Sequence, residues 1–244
     1  MRIAIVSDIH GNLTAFQAVL EDLRQTSPDL ILQGGDLAHS GSSPAEIIDR
    51  IRDLGWQGVV GNTDELLFRP ESLTEFASQS SKLQPMFAAI EEMAVWTRET
   101  LGEKRLAWLR GLPHAFIRDP LALVHASPGD LWRAPAPEAS DAELESVYGP
   151  LGQPMVIYGH IHRSYIRSVG GPGVGRMTVA NTGSVSLSHD GDRRASYLLL
   201  DDTTPTIRRV DYDVAQELKA LASCGLPNAD WVARILDSAR PQMP

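Results

Sequence analysis

Five short polar clusters, each at the end of an apolar run, hold the residues of this chain best suited to chemistry. They are Asp8-Ile9-His10, Gly35-Asp36, Gly61-Asn62-Thr63-Asp64, His125 within Val124-His125-Ala126, and Gly159-His160-Ile161-His162. Asp8, Asp36 and Asn62 offer oxygen; His10, His125, His160 and His162 offer imidazole nitrogen. That set is sized for two transition-metal ions, and a dinuclear metal centre is suited to phosphoryl transfer to water.

Each cluster also has a plainer reading. Asp8 and His10 alternate about Ile9 just beyond a strand, so a period-two geometry would put both on one side; alone, they also fit a helix-capping aspartate beside a surface histidine. Asp36 follows two glycines, which allow a tight bend and a close approach, and its two oxygens could bridge two ions. A Gly-Asp step is otherwise a turn, as is Gly61-Asn62-Thr63-Asp64. His160 and His162 flank Ile161 after a strand, a moderately specific metal signal with both rings able to face one side. His125 read alone is a half-buried, hydrogen-bonded histidine.

These residues need elements to position them. Arg2 to Val6 reads as a buried strand, followed by a helix capped at Asn12 or Thr14 with Phe16, Val19, Leu20 and Leu23 on one face. Strands at Leu30 to Leu32 and Val59-Val60, with a helix from Pro44 to Leu54 between them, complete a βαβαβ rhythm that implies parallel strands. Ligands of such sheets gather beyond the carboxyl ends of the strands, where the first three clusters fall. Residues 65 to 112 carry helical spacing (Phe87, Ile90, Met93, Val95, then Leu101, Leu106, Leu109) and read as an insertion over or beside the site. Ala115 to Ile117 and Leu121 to Val124 form a strand pair. Residues 126 to 154 form a proline-rich loop with a short helix from Asp141 to Tyr148. Strands follow at Met155 to Tyr158, Tyr165 to Val169, Met177 to Ala180, Ala195 to Leu200 and Ile207 to Tyr212, then helices at Val214 to Ala222 and Ala229 to Ala239. Gly170 to Gly175 reads as a hairpin turn, with no helix pattern behind it to make a dinucleotide fingerprint. The organisation expected is one domain over residues 1–244, with a helical insertion at about 65–112 and a helical tail at about 213–240.

Composition limits the partners. Apolar content of 43% and charged content of 22% fit a folded protein with a substantial core. A net charge of -9 disfavours a stable nucleic-acid complex. The single Cys224 excludes an intramolecular disulfide and fits a reducing, cytoplasmic setting. No run approaches the roughly 18 apolar residues of a membrane span. No heptad or apolar stripe specifies an oligomer, and a homo-oligomer stays open.

Taken together and in order, the clusters resemble the calcineurin-like metallophosphoesterase superfamily: Asp-x-His, Gly-Asp, Gly-Asn-x-Asp, His, and Gly-His-x-His. The likeness covers residues 3 to about 200, and Asn181-Thr182-Gly183-Ser184 is similar to a block of its small bacterial and archaeal phosphodiesterase-type branch. The resemblance implies an α/β fold, a four-layer αββα sandwich with two central mixed sheets. It implies that Asp8, His10, Asp36 and His162 hold one divalent ion and that Asp36, Asn62, His125 and His160 hold a second. The two would lie roughly 3.5–4 Å apart and share a hydroxide that attacks phosphorus in line. Manganese is the expected metal for activity in vitro; iron, nickel, cobalt and zinc suit the same ligands.

One position departs from the family's phosphatases, which place a histidine after the metal-binding asparagine to protonate the leaving oxygen. Here it is Thr63, a poor general acid near neutral pH. The departure favours a phosphodiesterase on a small or nucleotide-like substrate over a phosphomonoesterase acting on proteins or nucleotides. A non-catalytic protein-binding scaffold of the same fold would have eroded ligands. His39 is a candidate substitute acid or a loop residue behind the ligands. Asp64 is expected to orient Thr63, a backbone group or a ligand. Asn12, Trp132 and Arg133 are substrate-binding candidates, with helix capping, core packing and surface exposure as their plainer roles. Trp96 and Trp108 read as core, and His114 and His189 as unrelated to the site.

Overall fold

The computed structural model describes residues 1–77, 83–170 and 176–244. The hairpin reading at Gly170 to Gly175 lies, beyond Gly170, outside the described residues. Two mixed five-stranded sheets form the centre. The first contains β1 (Arg2–Val6), β2 (Leu30–Gln33), β3 (Gln57–Gly58), β9 (Ala195–Asp201) and β10 (Thr204–Val210), in the order β10-β9-β1-β2-β3. The second contains β4 (Ala115–Arg118), β5 (Leu121–Val124), β6 (Met155–Tyr158), β7 (Tyr165–Val169) and β8 (Met177–Asn181), in the order β4-β5-β6-β8-β7. β1, β2 and β3 run parallel, as do β5, β6 and β8; β9, β10, β4 and β7 pair antiparallel.

The sheets stack through one apolar layer in which Ile3, Ile5 and Leu32 meet Leu123, Ile157 and Ala180. On the outer face of the first sheet lie α1 (Leu13–Thr26), α2 (Pro44–Asp53) and part of α5 (Gln84–Arg110). On the outer face of the second lies α6 (Asp141–Tyr148). This is the four-layer arrangement expected. In α1 the Asn12 side chain accepts from the Ala15 N–H, and Phe16, Val19 and Leu23 are buried at helical spacing. Phe16 meets Trp56 edge-on at 5.5 Å. Fully burying one such ring contributes about 1.5–3 kcal/mol.

The third strand is Gln57–Gly58, not Val59-Val60. β2 ends at Gln33, so the parallel ladder has no partner beyond Gly58. The Val59 N–H still donates to the Gln33 carbonyl, but the Val60 N–H donates to Pro113 as the chain leaves the sheet. The last strand is Thr204–Val210, shifted towards the N-terminus of the Ile207 to Tyr212 reading because its register with β9 begins at the turn after Asp201. Helix also begins earlier than residue 65: α3 (Asn62–Phe68) starts on Asn62 itself, followed by α4 (Glu71–Ala77) and α5. α5 bends at Gly102, whose backbone is non-helical (φ 67°, ψ 166°). Val95, read as part of its apolar face, is 45% exposed, because a residue two positions from buried Met93 points off that face.

The C-terminal helices α7 (Val214–Cys224) and α8 (Ala229–Ser238) pack against α5 through Leu221, Trp231, Val232 and Ile235, which meet Ala89 and Met93. Glu217 on α7 is buried and accepts the hydroxyls of Thr14 (2.7 Å) and Ser42 (2.7 Å), tying the tail to the loops around the first cluster.

Candidate metal centre

The five clusters meet at the carboxyl ends of β1, β2, β5 and β6 and beyond β3. The Asp8 and His10 side chains do converge, but not by strand alternation. Both residues have left-handed backbone, φ 57° and 47°. So do Asp36 (55°), His160 (67°) and His162 (55°). Side chains with a Cβ rarely adopt this region, and each instance costs on the order of 1–3 kcal/mol. The chain thus turns sharply after β1, β2 and β6, and each turn throws its ligand side chains inward.

Hydrogen bonds hold those turns. The Asp8 and His10 N–H groups donate to the carbonyls of Gly35 and Asp36 (3.0 Å each). Asp64 accepts the N–H groups of Asp36 (2.8 Å), Leu37 (2.9 Å) and Gly61 (3.2 Å), so it orients backbone. Burial and the neighbouring Asp36 push its carboxyl up to about 7, while the Leu37 and Gly61 donors pull it down. Gly61 permits the close approach: a Cβ there would lie 2.1 Å from the Asp36 carboxylate. Asn181 and Ser184 buttress from behind, the Asn181 amide donating to the Gly159 carbonyl and the Ser184 hydroxyl to the Asp8 carbonyl (2.9 Å).

The side chains form two groups that share Asp36. In the first, His162 Nε2 lies 3.1 Å from Asp8 Oδ1 and 3.2 Å from His10 Nε2, and His10 Nε2 lies 3.7 Å from Asp36 Oδ2. Ligand atoms of Asp8, His10, Asp36 and His162 all fall within 4.8 Å of one another, so this group could hold a metal ion. In the second, Asn62 Oδ1 lies 2.9 Å from both His125 Nε2 and His160 Nδ1, and His125 Nε2 lies 3.5 Å from Asp36 Oδ1. One oxygen of Asp36 faces each group.

The tautomers test whether a cation fits. His10 Nδ1 donates to the His39 carbonyl (3.0 Å), His125 Nδ1 to Gly34 (2.8 Å) and His162 Nδ1 to Leu187 (2.6 Å). A carbonyl only accepts, so each Nδ1 carries a proton, and Nε2 is the nitrogen left to offer a lone pair to a cation. Two such lone pairs face each other at 3.2 Å beside a carboxylate oxygen, an arrangement that needs positive charge between them. Among the described residues, Asp8 and Asp36 form ion pairs only with these imidazoles. Burial would raise Asp36, but His125, His10 and His160 outweigh it and hold the carboxyl well below the usual range. Burial takes His10 and His160 down to about 4, whereas Asp36 and Asp8 bring His125 up to about 9 against it. The donor set fits divalent cations.

A cavity of about 310 Å³ opens beside the cluster. Its floor includes His10, Asp36, Asn62, Thr63, His160 and His162. The Thr63 N–H donates to Asp36 Oδ1 (2.9 Å), and its buried hydroxyl has no partner. His39 lines the cavity, but its ring is engaged: Nε2 donates to the Ile90 carbonyl (3.0 Å) and Nδ1 accepts from Ser40 (2.5 Å). Burial holds it below its ordinary pKa. Trp132 lines the cavity and stacks on Phe76 at 5.1 Å. Two substrate candidates are not part of the lining. Asn12 is committed to capping α1 and to donating to Ser186 (3.2 Å), and Arg133 pairs with Asp130 (2.9 Å) and sits over the Phe76 ring. Trp96 and Trp108 pack in apolar clusters.

Sequence reasoning missed His189 and the tail. His189 lines the cavity with its ring 4.7 Å from that of His162. It stands alone in sequence, and only the fold brings it there. α8 adds Trp231, Val232 and Ile235 to the wall; the helix itself was legible, but nothing marked the surface it covers.

Comparison with known proteins agrees with this geometry. A family model for the calcineurin-like phosphoesterase superfamily domain matches residues 1–204, and the chain belongs to that superfamily. An uncharacterized protein of Methanocaldococcus jannaschii is 29% identical over 252 residues, covering 96% of each chain. The crystal structure of a metallophosphoesterase from Sphaerobacter thermophilus aligns with a TM-score of 0.78 at 27% identity, over 98% of this chain and 99% of that one. A hypothetical protein from Pyrococcus horikoshii shares the fold (TM-score 0.80, 19% identity, 96% and 97% coverage). No helix among the described residues is long and apolar enough to cross a membrane.

Proposed function

We propose that the protein hydrolyses phosphate esters, with preference for diesters of small molecules. The observation that carries this reading is Asp36, which presents Oδ2 to the first histidine group and Oδ1 to the second. Asp8, His10, Asp36 and His162 would hold one divalent ion, and Asp36, Asn62, His125 and His160 a second. When bound, the ions supply Lewis-acid charge and an activated water for phosphoryl transfer, with manganese the first choice for assay.

The chain's own residues do the rest. The left-handed turns and Asp64 hold the ligands in place before substrate arrives, and the three carbonyl-bound histidines keep Nδ1 protonated, which leaves Nε2 as the nitrogen that would ligate. Thr63 has a free hydroxyl where the related phosphatases place an imidazole, and His39 is bonded at both nitrogens. The site can offer a hydrogen bond to a leaving oxygen but has, among the described residues, no free acid beside Asn62. Phenol-like leaving groups need less protonation than serine alkoxide, which supports the diesterase over a protein phosphatase. We also infer a single domain, since insertion and tail both line this cavity.

The test is a substrate series on protein stripped of metal and then given manganese. Bis-p-nitrophenyl phosphate should be turned over faster than p-nitrophenyl phosphate and a phosphoserine peptide. Preference for the monoester and peptide would sink the diesterase reading, and no turnover with any divalent metal would favour the binding scaffold.

A further inference from the structure

We propose that the cavity beside the metal centre recognises a compact apolar organic group on the phosphate, aryl or branched alkyl, in preference to a nucleoside or a peptide. This rests on the phosphoesterase reading above and narrows its substrate class.

The cavity is polar at its floor and apolar on its walls. α5 contributes Met86, Phe87, Ile90 and Met93. α8 contributes Trp231, Val232 and Ile235, and these lie beyond the residues matched by the family model. Trp132 and Phe76, stacked on each other, form a third side. The wall is fixed in place. His39 bonds the Ile90 carbonyl, and Trp231 Nε1 donates to the Gln242 carbonyl (2.8 Å). Its volume of about 310 Å³ falls at the small end of small-molecule pockets, which suits one ring or a short branched chain above one phosphate.

Polar capacity beyond the floor is small. Ser40 is committed to His39, the Gln242 amide donates to Ser238 (3.2 Å), and the His189 ring packs on His162. Within the described lining, the buried side-chain atoms left without partners are Thr63 Oγ1 and Trp132 Nε1. None of the described lining residues is arginine or lysine. A base and ribose would bury several donors and acceptors against these walls, and a peptide would bury its amides. Each unpaired polar group costs affinity. The nearest described guanidinium, Arg133, lies over the Phe76 ring and is paired with Asp130, so a second phosphate would have to compete with that carboxylate for it. A phenyl or branched alkyl group buries apolar surface and brings no polar atom of its own that needs a partner.

The proposal is tested by calorimetric titration of the manganese-loaded protein with benzylphosphonate, methylphosphonate and uridine 5′-monophosphate. Benzylphosphonate should bind at least about tenfold tighter than either, with a more negative heat-capacity change than methylphosphonate. Equal affinity for benzyl and methyl compounds, or tighter binding of the nucleotide, overturns it. In Met86→Glu and Val232→Ser, checked for folding by thermal melting, the benzyl-to-methyl ratio should fall towards one; an unchanged ratio in folded variants of both also overturns it. The parent reading fails separately. Turnover of bis-p-nitrophenyl phosphate without benzyl preference refutes this inference alone. Benzyl preference without turnover of any ester refutes the phosphoesterase and leaves an apolar phosphate-binding site.

Discussion

The metal centre and the wall above it are built by opposite means. The centre is polar, comes from turns at strand ends, and sets five of its seven candidate ligands in left-handed backbone. The wall is apolar and comes from regular helices and one loop. Strain is tolerated at the centre because Asp64, Asn181 and Ser184 bond the same turns from several directions. The wall has no comparable network; it is held by packing and a few carbonyl bonds. Position is therefore set by backbone geometry in one region and shape by side-chain volume in the other. The first should respond sharply to single atoms, the second gradually to size and polarity.

The largest effect should come from Asp36→Asn, which removes the one oxygen pair shared by both groups. Turnover should fall at least about a hundredfold, since even residues behind metal ligands cost 10–100-fold. Bound metal measured by mass spectrometry should fall with it, while the melting profile keeps a cooperative transition. Full activity would dissolve the proposed centre.

Asp64→Asn tests whether the bonds behind the ligands matter. The amide oxygen can take the place of only one carboxylate oxygen, so the NH2 group turns a donor either towards the Leu37 N–H or towards those of Asp36 and Gly61. Metal affinity should drop by about 10–100-fold. If affinity and rate both stay at the wild-type level, the turns hold themselves without the bonds behind them.

Thr63→His sharpens the chemistry. A new imidazole beside Asn62 should raise phosphomonoester turnover relative to diester turnover by about tenfold or more, within the range of general-acid catalysis. An unchanged ratio would mean that leaving-group protonation does not set the preference.

The smallest effect lies far from both regions. Against the cost of partial burial, Arg208 and Tyr197 hold the Asp22 carboxyl below its ordinary pKa. A depressed folded-state value contributes stability above the unfolded value of about 3.9, lost as pH falls through the folded value. Asp22→Asn should therefore lower the melting temperature at neutral pH by an amount worth less than about 1 kcal/mol and flatten the loss between roughly pH 5 and 3. Metal content should not move. A change in metal content would show that the outer face of the first sheet and the centre are coupled.

What the sequence determined by itself was local. Unbroken apolar runs such as Arg2 to Val6 and Met155 to Tyr158 marked buried strands, and the ordered clusters at their ends marked the ligands. Both signals sit within a few residues of their cause. The strand at Val59-Val60 was misplaced because a short edge strand is decided by where its neighbour ends, not by its own β-branched residues. The left-handed turns were not legible either, since aspartate and histidine do not announce positive φ as glycine does. Tertiary structure decided whatever joins distant residues: His189 beside His162, His39 bonded to α5, and α8 closing a cavity whose other wall lies about 140 residues earlier in the chain. An apolar stripe states that a helix must be covered, because apolar surface leaves water wherever it can. It does not state by what, because that force has no direction.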